Sequence, residues 1–107
     1  MRWWVKVTEI QYNIVMETEL KKRCRGFALK QYNEMIEWLG SDFNDSWHVV
    51  TISDTSGNIE ELVGVGKTFS NVKRALREGW KRLRENYDEN DFSVDLLVDG
   101  RLRSYVV

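Results

Sequence analysis

The chain has 107 residues, 42% hydrophobic and 31% charged, with one Cys, no Pro and a formal net charge of −1. That length fits one domain spanning 1–107, with little room for two independent cores, and the composition excludes a disordered or collagen-like chain. No apolar run approaches the roughly 20 residues that cross a bilayer, and Arg2, Lys6 and Glu9 interrupt the N-terminal apolar stretch, so no membrane partner and no secretory leader are expected. A lone Cys24 offers no intramolecular disulfide and leans towards a reducing, cytoplasmic compartment.

Residues 2–8 alternate, with Trp3, Val5 and Val7 on one face and Arg2, Trp4, Lys6 and Thr8 on the other. A period of two predicts a half-buried strand. From Ile10 the apolar set moves to even positions, Tyr12, Ile14 and Met16. A phase change of one residue needs a turn or a bulge, so a second strand is expected from Ile14 to about Leu20, with one long bulged strand as the alternative.

Residues 28–39 switch to helical spacing, with Ala28, Leu29, Tyr32, Met35, Ile36 and Leu39 on one side and Gly40 as the stop. A polar loop at 41–46 leads to a strand over 47–54. The run Thr55-Ser-Gly-Asn58 supplies a turn, and 59–66 returns as the partner strand. Ser70 is the expected N-cap of a helix over 71–87, whose core stripe is Val72, Leu76, Gly79/Trp80, Leu83 and Tyr87. Two last strands, 92–98 and 101–106, flank Asp99-Gly100, the strongest hairpin signal in the chain. The expected fold is therefore α+β, an antiparallel sheet in ββα-ββα-ββ order with both helices packed on one face. Phe27 and Trp38 stand eleven residues apart, as do Phe69 and Trp80, a weak echo that suggests either duplication or two equivalent helices on one sheet.

Catalytic signals are thin. Gly64-Val-Gly66-Lys67-Thr68 ends like a phosphate-binding loop, but Glu61 occupies the place of the first glycine and the strand belongs to a hairpin. Asp42, Asp45 and His48 are spaced by three, which on loop and strand does not bring metal ligands together, so no metal and no cofactor are expected. Cys24 lies in Lys21-Lys-Arg-Cys-Arg25, a positive setting that favours thiolate, yet the only His is 24 residues away. A small enzyme built on His48 and Cys24 is thus a remote alternative to a non-enzymatic protein.

Charge is distributed in blocks. Residues 21–30 hold five bases and no acid, 34–61 seven acids and no base, 67–84 seven bases and one acid, and 85–99 six acids and no base. On the second helix Lys73, Arg74, Arg77, Lys81 and Arg84 fall within an arc of about 100° beside the core stripe. Lys73, Arg74 and Arg77 lie in its first half, where the helix dipole disfavours cations. Such a face calls for an anionic partner, a nucleic acid or a nucleic-acid-handling protein complex. Lys21, Lys22, Arg23 and Arg25 would add a second patch if the fold brings them near. Trp4, between Arg2 and Lys6, has the composition of an interface hot spot or a base-stacking platform. The same features suit a small virus-encoded inhibitor of a host defence complex, anti-CRISPR-like, acting by protein–protein contact. They also suit a homodimer in which acidic blocks meet the basic face.

Overall fold

Successive residues of a strand point to opposite faces, so the run Val49-Val50-Thr51-Ile52 puts apolar groups on both sides of one strand. The fold is built around that strand. The computed structural model describes residues 20–43 and 47–105. Residues 20–23 are helical. They are followed by helix α1 (Phe27–Leu39), a 3₁₀ turn (Gly40–Asp42), β1 (His48–Asp54), β2 (Ile59–Gly66), α2 (Phe69–Asn86), β3 (Phe92–Val98) and β4 (Arg101–Ser104). The four strands form one antiparallel sheet in the order β2-β1-β3-β4. The α+β class stands, and the order is α-ββ-α-ββ, not ββα-ββα-ββ. The strand pair expected before α1 lies outside the described residues except for Leu20, which is helical and fully buried. Leu20 packs with Cys24 and Ala28, so its place is set by the core under α1 and not by strand alternation.

The two helices cover opposite faces of the sheet, which corrects the expectation of one shared face. Cross-strand register pairs Val49 with Leu97, and Val50 with Leu96, so adjacent pairs point to opposite sides. Val49, Leu97, Ile59 and Leu62 pack with Ala28 and Tyr32 of α1 and with Phe43. Val50, Ile52 and Val94 pack with Val72, Leu76 and Leu83 of α2. The core is thus two layers sharing a central sheet, and β1 is buried along five consecutive positions. The aromatic echo does not mark equivalent helices either. They have 13 and 18 residues, and Trp38 is 79% exposed while Trp80 packs against the core between α2 and the sheet.

Small residues set how closely α2 approaches. A methyl group on Gly64 would sit 2.6 Å from the Cβ of Ala75, and one on Gly79 would sit 3.1 Å from Val94 Cγ1. Gly79 therefore sits mid-helix because that face rests on β1 and β3. The helix begins two residues earlier than Ser70 predicts: Thr68 is the N-cap, its hydroxyl accepting from Asn71 N at 3.2 Å. Trp80 Nε1 donates to Tyr105 O at 3.0 Å, tying α2 to the chain beyond β4. On the other side, Gln31 of α1 clamps the edge of β2. Its amide donates to Leu62 O at 2.9 Å and accepts from Leu62 N at 2.7 Å, copying the bonds of a neighbouring strand. The final hairpin turns at Asp99 and Gly100, both at positive φ, 53° and 74°, the two-residue geometry that Asp-Gly favours.

Candidate functional site

Anchored by the buried stripe Val72, Leu76, Gly79 and Leu83, α2 necessarily turns its opposite side to solvent. Lys73, Arg74, Arg77, Lys81 and Arg84 are all exposed there. Among the described residues none of the five forms an ion pair. The one helix cation that does is Arg82, on the flank towards β2. It meets Glu61 at 2.7 Å and Glu78 at 3.2 Å. Burial works against the Arg82 charge, but the two carboxylates outweigh it and raise the guanidinium pKa. Glu61 Oε2 also accepts from the Tyr87 hydroxyl at 3.1 Å. Glu61 and Glu78 are thereby committed to Arg82, and among the described residues the solvent-facing cations have no ion-pair partners of their own.

The helix termini compensate only one of those cations. The first turn of α2 contains no acid, and only Arg84 lies in the last turn, where the dipole favours it. The Arg84 guanidinium stands 6.0 Å from the centre of the Trp80 ring, within reach of a cation–π contact. Phe69, 38% exposed, lies 5.7 Å from the Tyr105 ring. An aromatic border of Phe69, Trp80 and Tyr105 therefore runs along the arc on the side of β4.

Beyond that border the structure adds two cations absent from the sequence reading. In β4, Arg103 pairs with Leu96 and Arg101 with Val98, while Leu102 pairs with Leu97. Leu97 belongs to the α1 layer and Leu96 to the α2 layer, so Arg101 and Arg103 emerge on the α2 side. With Leu96, Val98 and Asp99 they line an open groove of about 590 Å³. The signal was present in Arg101-Leu-Arg103 after the Asp-Gly turn, because alternation puts both arginines on one face.

The second basic patch is real but separate. Lys22, Arg23 and Arg25 gather at the β1–β2 turn, with Ser56, Gly57 and Asn58. Lys21 is exposed beside them. Their neighbours Leu20 and Cys24 pack into the α1 layer, so this patch and the α2 arc belong to elements on opposite faces. Trp4 lies outside the described residues.

The chemistry weighed for an enzyme is not assembled. Cys24 is bridged to Ile59, which pairs with Ser53 near one end of β1, whereas His48 begins that strand. Five strand residues separate the two levels, about 16 Å at 3.3 Å per residue. Nor is Cys24 a ready thiolate: burial pushes its pKa up to about 11, outweighing the lowering by Arg25. His48 is half-buried, with Nδ1 enclosed and without a hydrogen-bond partner among the described residues. It shares the face of Val50, under which α2 packs. Asp42 is exposed and Asp45 lies outside the described residues, among which no group of three metal-binding side chains occurs. Gly64-Val-Gly66-Lys67-Thr68 runs from an edge strand into a helix cap, its lysine 5.3 Å over the Trp47 ring. Among the described residues no helix is long and apolar enough to cross a membrane.

No family model, curated protein or solved structure matches this chain.

Proposed function

We propose that this protein is a non-catalytic binding module that engages the phosphate backbone of a nucleic acid through the solvent face of α2. One observation carries the reading: Lys73, Arg74, Arg77, Lys81 and Arg84 share one exposed arc with no ion pair among the described residues. Five like charges repel one another in the free protein, and an anionic polymer relieves that repulsion while releasing its own counterions. Arg101 and Arg103 extend the positive surface past the aromatic border, whose Phe69 is partly exposed for stacking.

The test is binding to short DNA and RNA across a salt series. Five phosphate contacts correspond to a slope of log K against log salt of about −4 to −5 on duplex DNA. Exchanging Lys73, Arg77 and Lys81 together for Glu abolishes binding and leaves the circular dichroism spectrum unchanged. A wild-type protein that retains neither nucleic acid at low salt overturns the reading.

A second reading rests on a different surface. Trp38 is 79% exposed and Phe27 61%, and Trp38 borders a groove of about 310 Å³ with Met35, Val63 and Val65. An exposed Trp beside an apolar groove has the make-up of a protein–protein hot spot, as an inhibitor of a host defence complex requires. A stoichiometric protein complex lost on Trp38→Ala, with nucleic-acid binding absent, selects this reading over the first.

A further inference from the structure

The patch at the β1–β2 turn has the features of a built anion site rather than of scattered surface charge. The fold places its cations through the backbone. Cys24 is buried and bridged to Ile59, and Arg25 N donates to Ile59 O at 2.9 Å. Residues 23 and 25 therefore flank a fixed point beside the turn. Arg25 Nη1 donates to Lys22 O at 2.9 Å and Cys24 O at 3.4 Å, so backbone carbonyls, not a carboxylate, orient this guanidinium.

Arg23 is the less exposed of the two. Its Nη1 lies 3.5 Å from Gly57 O, and a methyl group on Gly57 would come within 2.9 Å of the same nitrogen. Gly57, at φ +85°, both makes the turn and leaves room for the guanidinium. Arg23 Nε is enclosed and has no acceptor among the described residues. An enclosed donor without a partner is unfavourable in a folded protein, and a bound water or ion is what ordinarily completes it. The turn's own carboxylate does not serve. Asp54 accepts from Ser56 N, Asn58 N and Asn58 Nδ2 at 2.9, 2.9 and 3.2 Å.

We infer that Lys22, Arg23 and Arg25, with Ser56, Gly57 and Asn58, form a site for a terminal phosphate group. The recess measures about 220 Å³, room for one tetrahedral anion, and the described residues that line it include three cations and no carboxylate. Guanidinium groups suit such an anion because their N–H donors match two oxygens at once. The group can come from free phosphate or a nucleotide, or from the 5′ end of a nucleic acid. Either source is independent of the α2 face.

The experiment uses the full chain and two probes. Inorganic phosphate is titrated into labelled protein and followed by NMR at the amides of 56–58 and the Arg23 Nε–H. Saturable shifts with a dissociation constant at or below about 1–10 mM are expected, with at least a tenfold loss in Arg23→Gln. Gly57→Ala, which keeps Arg23 but displaces it, shows the same loss and guards against misfolding of the first variant. In parallel, 5′-phosphorylated and 5′-hydroxyl forms of one oligonucleotide are compared by anisotropy. A several-fold preference for the phosphorylated end identifies the nucleic-acid source, and equal binding with phosphate shifts intact identifies the free one; both uphold the site. Phosphate shifts survive exchange of Lys73, Arg77 and Lys81 for Glu, so loss of α2 binding and loss of this site are told apart. Unsaturable phosphate shifts, or shifts unchanged in both site variants, overturn the inference.

Discussion

Replacing Gly64 by Ala probes the closest contact between α2 and the sheet. The new methyl carbon would lie 2.6 Å from Ala75 Cβ, against the roughly 3.5–4.0 Å of an ordinary carbon contact. Relief requires the helix or the edge strand to move by about 1 Å, and overpacking of this kind costs about 1–3 kcal/mol. Lower backbone entropy of Ala in the unfolded chain offsets about 0.5–1 kcal/mol of that. The expected loss for Gly64→Ala is therefore about 1–2 kcal/mol. Ala75→Gly alone loses about 1 kcal/mol of helix propensity. Combined, the two remove the clash, and the double variant is expected within about 1 kcal/mol of wild type, not at the 2–3 kcal/mol of the sum. Urea unfolding followed by Trp fluorescence measures all three. At roughly 4–8 °C per kcal/mol for a domain near this size, the midpoint of thermal unfolding reports the same cycle. Additive effects within about 0.5 kcal/mol would refute steric coupling of β2 to α2.

Other substitutions test the remaining joints. Gln31→Ala strands the N–H and C=O of Leu62 and is expected to cost about 1–3 kcal/mol in urea unfolding, while Gln31→Glu, which keeps one acceptor but no donor, also destabilises. Cys24, with its pKa raised from 9.0 to about 11 by burial, is expected to react with a disulfide reagent near pH 8 far more slowly in native than in urea-unfolded protein. Tyr87 is raised from 10.0 to about 12 by burial and by the neighbouring Glu61 carboxylate. The unfolded chain gives up this proton first, so stability is full below pH 10 and falls as pH climbs towards 12. Tyr87→Phe is expected to flatten the part of the alkaline unfolding profile that this residue supplies.

Much of the fold is legible in the residues because its signals are local. Asp99-Gly100 marks its hairpin since only a few residue types tolerate two successive positive φ angles. The strands 59–66 and 92–98 coincide with their expected positions, set by turn residues and β-branched runs. The cationic arc of α2 follows from helical periodicity alone, and its exposure follows from the stripe on the other side. The sheet's two-sidedness was also written there, in the adjacent apolar residues Val49 and Val50 of a strand, which break strict alternation. Such a run marks a central strand covered on both faces, and it is the signal against placing both helices together.

The sequence by itself determined the helix and strand periods, the turns, the α+β class and the uneven placement of charge, because each depends on residues only a few positions apart. Tertiary structure alone decided which face each helix covers, that Arg101 and Arg103 join the α2 side, and that the two basic patches lie apart. It also decided that Glu61 neutralises Arg82 across 21 positions and that burial overrides the positive field at Cys24. Those outcomes depend on packing and desolvation among groups distant in the chain, and periodicity holds no record of either.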